Sequence, residues 1–72
     1  MGRQVIERYA DKIVPGNMIV TRNGDARVTE VGPVLGQQGW VRISFRMLDE
    51  PALSNSLYRR GLNPVRLILE RQ

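Results

Sequence analysis

Strict alternation of apolar and polar residues runs through Trp40–Met47, WVRISFRM. Val41, Ile43, Phe45 and Met47 share one side; Trp40, Arg42, Ser44 and Arg46 share the other. Side chains on a strand point alternately to opposite faces, so this stretch predicts a half-buried strand with a wholly apolar inner face. Shorter β-rich runs flank it: Met18–Arg22, Ala26–Val31 and Val65–Glu70, the last with Val65, Leu67 and Leu69 inward. The punctuation between them is turn chemistry. Pro15-Gly16-Asn17 precedes the first run, and Asn23-Gly24-Asp25 is a strong hairpin signal. Gly36-Gln37-Gln38-Gly39 carries a glycine at each end to supply positive φ. Gly32-Pro33, inside a run that extends to Val34-Leu35, predicts a bulge or a sharp bend. Three strands joined by two tight turns make an antiparallel meander.

Two stretches read two ways. In residues 3–12, Ile6, Tyr9 and Ile13 recur at helical spacing, while Val5, Glu7 and Tyr9 would share a strand face. A short helix or an extended N-terminal arm over residues 1–13 is the expectation. Residues 51–60 fit a helix, with Pro51 in the first turn, Leu53 and Leu57 four apart, Arg59-Arg60 in the last turn and Gly61 as the stop. Ser54-Asn55-Ser56 is poor helix material, and Leu57–Arg60 reads equally as a short strand. The pattern as a whole predicts a mainly β domain over residues 14–72. It is a small barrel of about five antiparallel strands, with a short helix or 3-10 turn before the last one.

Composition narrows the chemistry. The chain has 72 residues, with neither cysteine nor histidine. That excludes disulfides, the usual zinc sites and any His- or Cys-centred nucleophile, so catalysis and cofactor binding are not expected. The seven acids fall mostly in turns or on strand exteriors, and GPVLGQQG lacks the Lys and Ser/Thr of a phosphate-binding P-loop. No apolar run approaches the roughly 20 residues that span a bilayer. Met1–Ile6 has no apolar stretch behind its arginine, which reads against a secretory signal, and Ile6 reads against myristoylation of Gly2. With no disulfide framework, a cytoplasmic location is expected. The formal net charge is +4, and every basic residue except Lys12 is arginine. A basic balance favours anionic partners, and the guanidinium fork suits phosphate and guanine edges. A GC-rich genome also writes arginine in place of lysine.

The pattern resembles the SH3-like barrel in its small bacterial forms, the KOW- and Tudor-like modules. The resemblance rests on Pro15-Gly16-Asn17-Met18-Ile19-Val20, Asn23-Gly24, Gly39-Trp40-Val41-Arg42-Ile43 and Asn63-Pro64-Val65. Asn17 stands where such modules usually carry aspartate. Proline-motif recognition is not implied, because peptide-binding SH3 grooves need several aromatics and this chain has only Tyr9, Trp40, Phe45 and Tyr58. The tail Pro64–Arg71 is also similar to the C-terminus of the plasmid-borne dihydrofolate reductase, a tetrameric barrel of the same kind. Where that enzyme has the Val-Gln-Ile-Tyr stretch of its pore, Leu57-Tyr58-Arg59-Arg60 stands here.

The candidate site is the outer face of the central strand. Trp40 would stack a base, and Arg42, Arg46, Arg27 and Arg22 would contact the backbone of DNA or RNA. Thr29 is the other polar residue placed to join them. A structural use competes: Trp40 capping the core from the strand end, or packing under the N-terminal segment. Tyr58-Arg59-Arg60 with Arg66 forms a second basic cluster, which would extend the face if residues 57–60 are a strand. The alternatives are a protein-binding or homo-oligomer-forming module, using the Trp40 face or an open edge at Val65–Leu69 with Ile68 outward, unless the N-terminal arm covers that edge through Val5, Ile6 and Tyr9, and a tiny oligomeric enzyme.

Overall fold

A computed structural model describes residues 3–70. Six antiparallel strands form one sheet in the order β1-β6-β2-β3-β4-β5. They are β1 (Arg3–Tyr9), β2 (Met18–Thr21), β3 (Gly24–Pro33), β4 (Trp40–Met47), β5 (Ser54–Arg60) and β6 (Pro64–Glu70). The sheet curls around a core of Ala10, Ile13, Ile19, Ala26, Val28, Ile43, Phe45, Val65 and Leu67, with Ile6, Val31, Val41, Met47 and Leu57 packed against it. The mainly β barrel expected from the alternation is the fold observed.

Three details differ from the expectation. Residues 3–9 are extended, not helical. They form β1, in register with β6 from Arg3 opposite Glu70 to Tyr9 opposite Pro64. Strand β6 is thereby an interior strand, with β2 on its other side, and Ile68 is buried. Of the two readings of Val65–Leu69, an open edge or a strand covered by the N-terminal segment through Val5, Ile6 and Tyr9, the second holds; the free edges among the described strands are β1 and β5. Second, the 3-10 turn lies at Ala10–Lys12, between β1 and β2, not before the last strand. The Ala10 amide donates to the Asn63 carbonyl at 2.9 Å and the Asp11 amide to the Gly61 carbonyl at 3.1 Å. The turn so fastened seats Ala10 and Ile13 in the core as a plug at one end of the barrel. Residues 54–60 are β5, because Leu57 opposite Ile43 extends the apolar inner face by one more strand.

Third, the irregularity in β3 falls at Thr29. Pairing runs Arg27 to Arg46 and Val28 to Phe45, then resumes as Glu30 to Ser44 and Val31 to Ile43. One extra residue on the bulged strand shifts its phase. Gly32 and Pro33 stay in the ladder, opposite Arg42 and Val41. The reason is written in the spacing of apolar residues: Ala26 and Val28 are two apart, but Val31 is three from Val28. Only a bulge puts all three on the inner face.

The turns behave as expected. Gly16, Gly36 and Gly39 take φ of 96°, 79° and 87°. Asn17 accepts the Val14 amide on its side-chain oxygen at 3.0 Å, and the Gly16 amide and Val28 carbonyl close the loop against β3 at 2.8 Å.

Leu67→Ala tests the core. Leu67 is 1% exposed and sits between β1 and β2. Truncating a buried leucine costs about 2–5 kcal/mol, a large part of the stability of so small a domain. Urea unfolding is expected to show that loss, against less than about 0.5 kcal/mol for Leu35→Ala at a site 94% exposed.

Candidate nucleic-acid interface

Pairing across β3, β4 and β5 fixes what shares the outer face with the central strand. Residues directly opposite each other in a ladder lie on the same side of the sheet. Trp40 faces Arg60, Arg42 lies between Gly32 and Tyr58, Ser44 between Glu30 and Ser56, and Arg46 between Arg27 and Ser54. Successive rows are two residues apart, about 7 Å, so the face extends about 20 Å along β4.

Its chemistry changes along that length. At one end, Arg27 and Arg46 stand opposite each other, both exposed. Arg27 is held by a hydrogen bond from its Nη1 to the Gly16 carbonyl at 3.0 Å. Like charges directly opposite on a sheet repel, and an anion between them would relieve that cost. In the middle, the Ser44 and Ser56 hydroxyls are 3.0 Å apart, and Arg42 Nη2 donates to Glu30 Oε1 at 3.2 Å. At the far end, the Arg60 guanidinium lies over the Trp40 ring, 5.6 Å from its centroid. Trp40 is half-buried, and one of its faces is covered by a cation. Tyr58 is the more open aromatic, 49% exposed.

Of the residues singled out in the sequence, Trp40, Arg42, Arg46 and Arg27 share this face. Arg22 does not. It lies in the β2–β3 turn, on the rim of an open depression of about 670 Å³ that Asn23, Asp49, Glu50 and Leu53 also line. Thr29 occupies the bulge, where its hydroxyl donates to the Ser44 carbonyl at 3.3 Å. The second basic cluster divides. Tyr58 and Arg60 join the face; Arg59 sits opposite Val41 on the other side of β5, and Arg66 pairs with Glu7 across β6 and β1. Sequence reading missed Glu30, Gly32 and Ser56. A strand reading of SNSLYRR carried the signal for Ser56, since Ser56, Tyr58 and Arg60 alternate with Asn55, Leu57 and Arg59. Glu30 and Gly32 required knowing that the bulge sits at Thr29.

Among the described residues no cluster of three or more Asp, Glu, His or Cys could hold a metal ion, and no helix is long and apolar enough to cross a membrane.

No protein-family model matches the chain, and no curated protein matches it. Among solved structures the chain is similar to a translation initiation factor eIF-5A family protein from Naegleria fowleri. The TM-score is 0.74 at 14% identity, over 88% of this chain and 46% of that one. The chain thus spans about half the length of that protein, and the likeness is one of fold: a small β-barrel module.

Arg60→Ala is expected to uncover the indole. Trp40 is the only tryptophan, so acrylamide quenching of its fluorescence reports this place alone and should rise in the variant. An exposed cation–π contact contributes about 0.5–1 kcal/mol, so the melting temperature should fall by only a few degrees.

Proposed function

We propose that this chain is a small basic module that acts by binding nucleic acid on the β3–β4–β5 face, without catalysis. The observation that carries the reading is the gathering of Arg27, Arg46, Arg42 and Arg60 with Tyr58 and Trp40 on one side of three adjacent strands. Small sheets bind nucleic acid in this way, with aromatic rings stacking bases and guanidiniums holding phosphates. Arg27 and Arg46 supply the phosphate end. Tyr58 and the Arg60-covered Trp40 supply the stacking end, since guanidinium planes stack bases as rings do. The SH3-like resemblance of the sequence and the likeness to a protein named as a translation initiation factor fit a nucleic-acid-associated, cytoplasmic role.

A second reading, a protein-binding or self-associating module, is favoured by apolar side chains at the plug end of the barrel. Leu35, at the tip of the β3–β4 turn, is 94% exposed and Leu62, in the β5–β6 turn, 73%. Salt separates the two readings: phosphate contacts weaken steeply with salt, apolar contacts do not.

Titrating the protein with single-stranded RNA and DNA at low salt should change the Trp40 emission. With about three phosphates engaged, log K should fall with log salt at a slope of about −2. Replacing Arg27 and Arg46 together with glutamine should lower the affinity and flatten the slope by roughly 1.4. Binding that ignores salt, or a double variant with an unchanged slope, would move the site off this face.

A further inference from the structure

One glycine on the outer face has no structural explanation. Among the described glycines, Gly16, Gly24, Gly36 and Gly39 take positive φ, and a Cβ on Gly61 would meet the Asp11 side chain at 3.1 Å. Gly32 does neither: its φ is not positive, and a Cβ built there meets nothing within 4 Å. A glycine inside a strand weakens it and often marks a close approach by another molecule. Gly32 lies opposite Arg42 on the exposed side of the sheet, so it leaves a bare floor beside that guanidinium.

Glu30, two residues earlier on β3, is the acid set among the arginines of this face. A carboxylate there repels phosphate, so the strand backbone is expected at the arginine ends and not in the middle. What a carboxylate does offer is hydrogen-bond acceptance. Its contact with Arg42 joins one oxygen to one nitrogen, at 3.2 Å, and the two side chains are 68% and 43% exposed. Glu30 Oε2 and Arg42 Nη1 therefore remain available beside the Gly32 floor. An acceptor thus stands next to a donor, over a patch free of side chains.

That arrangement matches one nucleobase edge. Guanine carries, in a row on its Watson–Crick edge, an acceptor at O6 and donors at N1 and N2. The carboxylate takes the two donors and the guanidinium donates to O6. Uracil, thymine, cytosine and adenine lack two adjacent donors. In a duplex this edge is occupied, so the guanine must be unpaired. We infer that Glu30, Arg42 and Gly32 form a recognition site for an unpaired guanine in single-stranded nucleic acid. Tyr58, on the other side of Arg42, stacks the neighbouring base. The inference rests on the reading of this face as a nucleic-acid surface.

The test uses nine-nucleotide oligouridines with a central guanosine, inosine, adenosine, cytidine or uridine, and the matching oligothymidines with a central deoxynucleotide. Affinities are read by fluorescence anisotropy at low salt. The guanine oligomers are expected to bind about tenfold tighter than the uniform ones, in RNA and DNA alike, because the edge is common to both. Inosine, which lacks the N2 amino group, should lose most of that advantage. Glu30→Gln should abolish the preference and bind the uniform oligomer at least as tightly as the wild type, since a charge that repels phosphate is gone. Gly32→Leu, at a site with open space, should melt like the wild type and lose the preference. Equal affinity for all central bases, or a preference that survives Glu30→Gln, would overturn the inference and leave the nucleic-acid reading standing. No binding of any oligomer by the folded protein would overturn that reading itself, and the inference with it.

Discussion

The constraint on which this structure depends is the phase of side chains across β3 and β4. Strand β4 must keep Ile43 and Phe45 inside, and its partner must answer with apolar residues in register. Strand β3 does so only because Thr29 is looped out of the ladder, letting Val28 face Phe45 and Val31 face Ile43. A one-residue slip in a strand would exchange its faces. Here the slip is used once, at a fixed point. Its outward consequence is as large as its inward one: beyond the bulge, Glu30 and Gly32 take the exposed places opposite Ser44 and Arg42 that an unbroken ladder would give to Thr29 and Val31.

The rest of the barrel follows from that register. With β4 fixed, β5 lays Leu57 over Ile43 and turns Tyr58 and Arg60 outward beside Arg42 and Trp40. The 3-10 turn closes one end by giving its amides to the β5–β6 turn. The N-terminal strand then pairs along β6, where Ile68 and Leu67 are both buried though they point to opposite faces. The arginines lie where no apolar residue is needed. Arg42 has a carboxylate partner in Glu30, and Arg27 and Arg46 stand opposite each other in the ladder.

Much of this was legible in the sequence. The alternation of Trp40–Met47 specifies both the strand and its two faces, and glycines at 16, 36 and 39 mark turns that need positive φ. The barrel class follows from those signals. What was not legible has physical causes. Residues 3–9 carry apolar groups at spacings that suit helix and strand alike, and only the presence of β6 beside them decides for strand. Residues 54–60 contain a single apolar inward residue, Leu57, so the burial that makes them a strand comes from Ile43 across the ladder. The bulge was expected at Gly32-Pro33 because those residues disfavour strands, yet the shift in apolar spacing from two to three at Val31 overrides them. The candidate site inherits the same error. Trp40, Arg42, Arg46 and Arg27 come together as read; Arg22, counted as the base of the hairpin, lies in the β2–β3 turn, outside the ladder that sets this face.

The central claim is that nucleic acid lies on the β3–β4–β5 face. Amide chemical shifts of the labelled protein, followed during titration with a short single-stranded oligonucleotide, test it directly. The account predicts shifts concentrated at Arg27, Glu30, Gly32, Arg42, Ser44, Arg46 and Tyr58, with Leu35, Leu62 and the Arg22 turn unmoved. Shifts centred instead on the Leu35 and Leu62 turns, or on the depression beside Arg22, would contradict it.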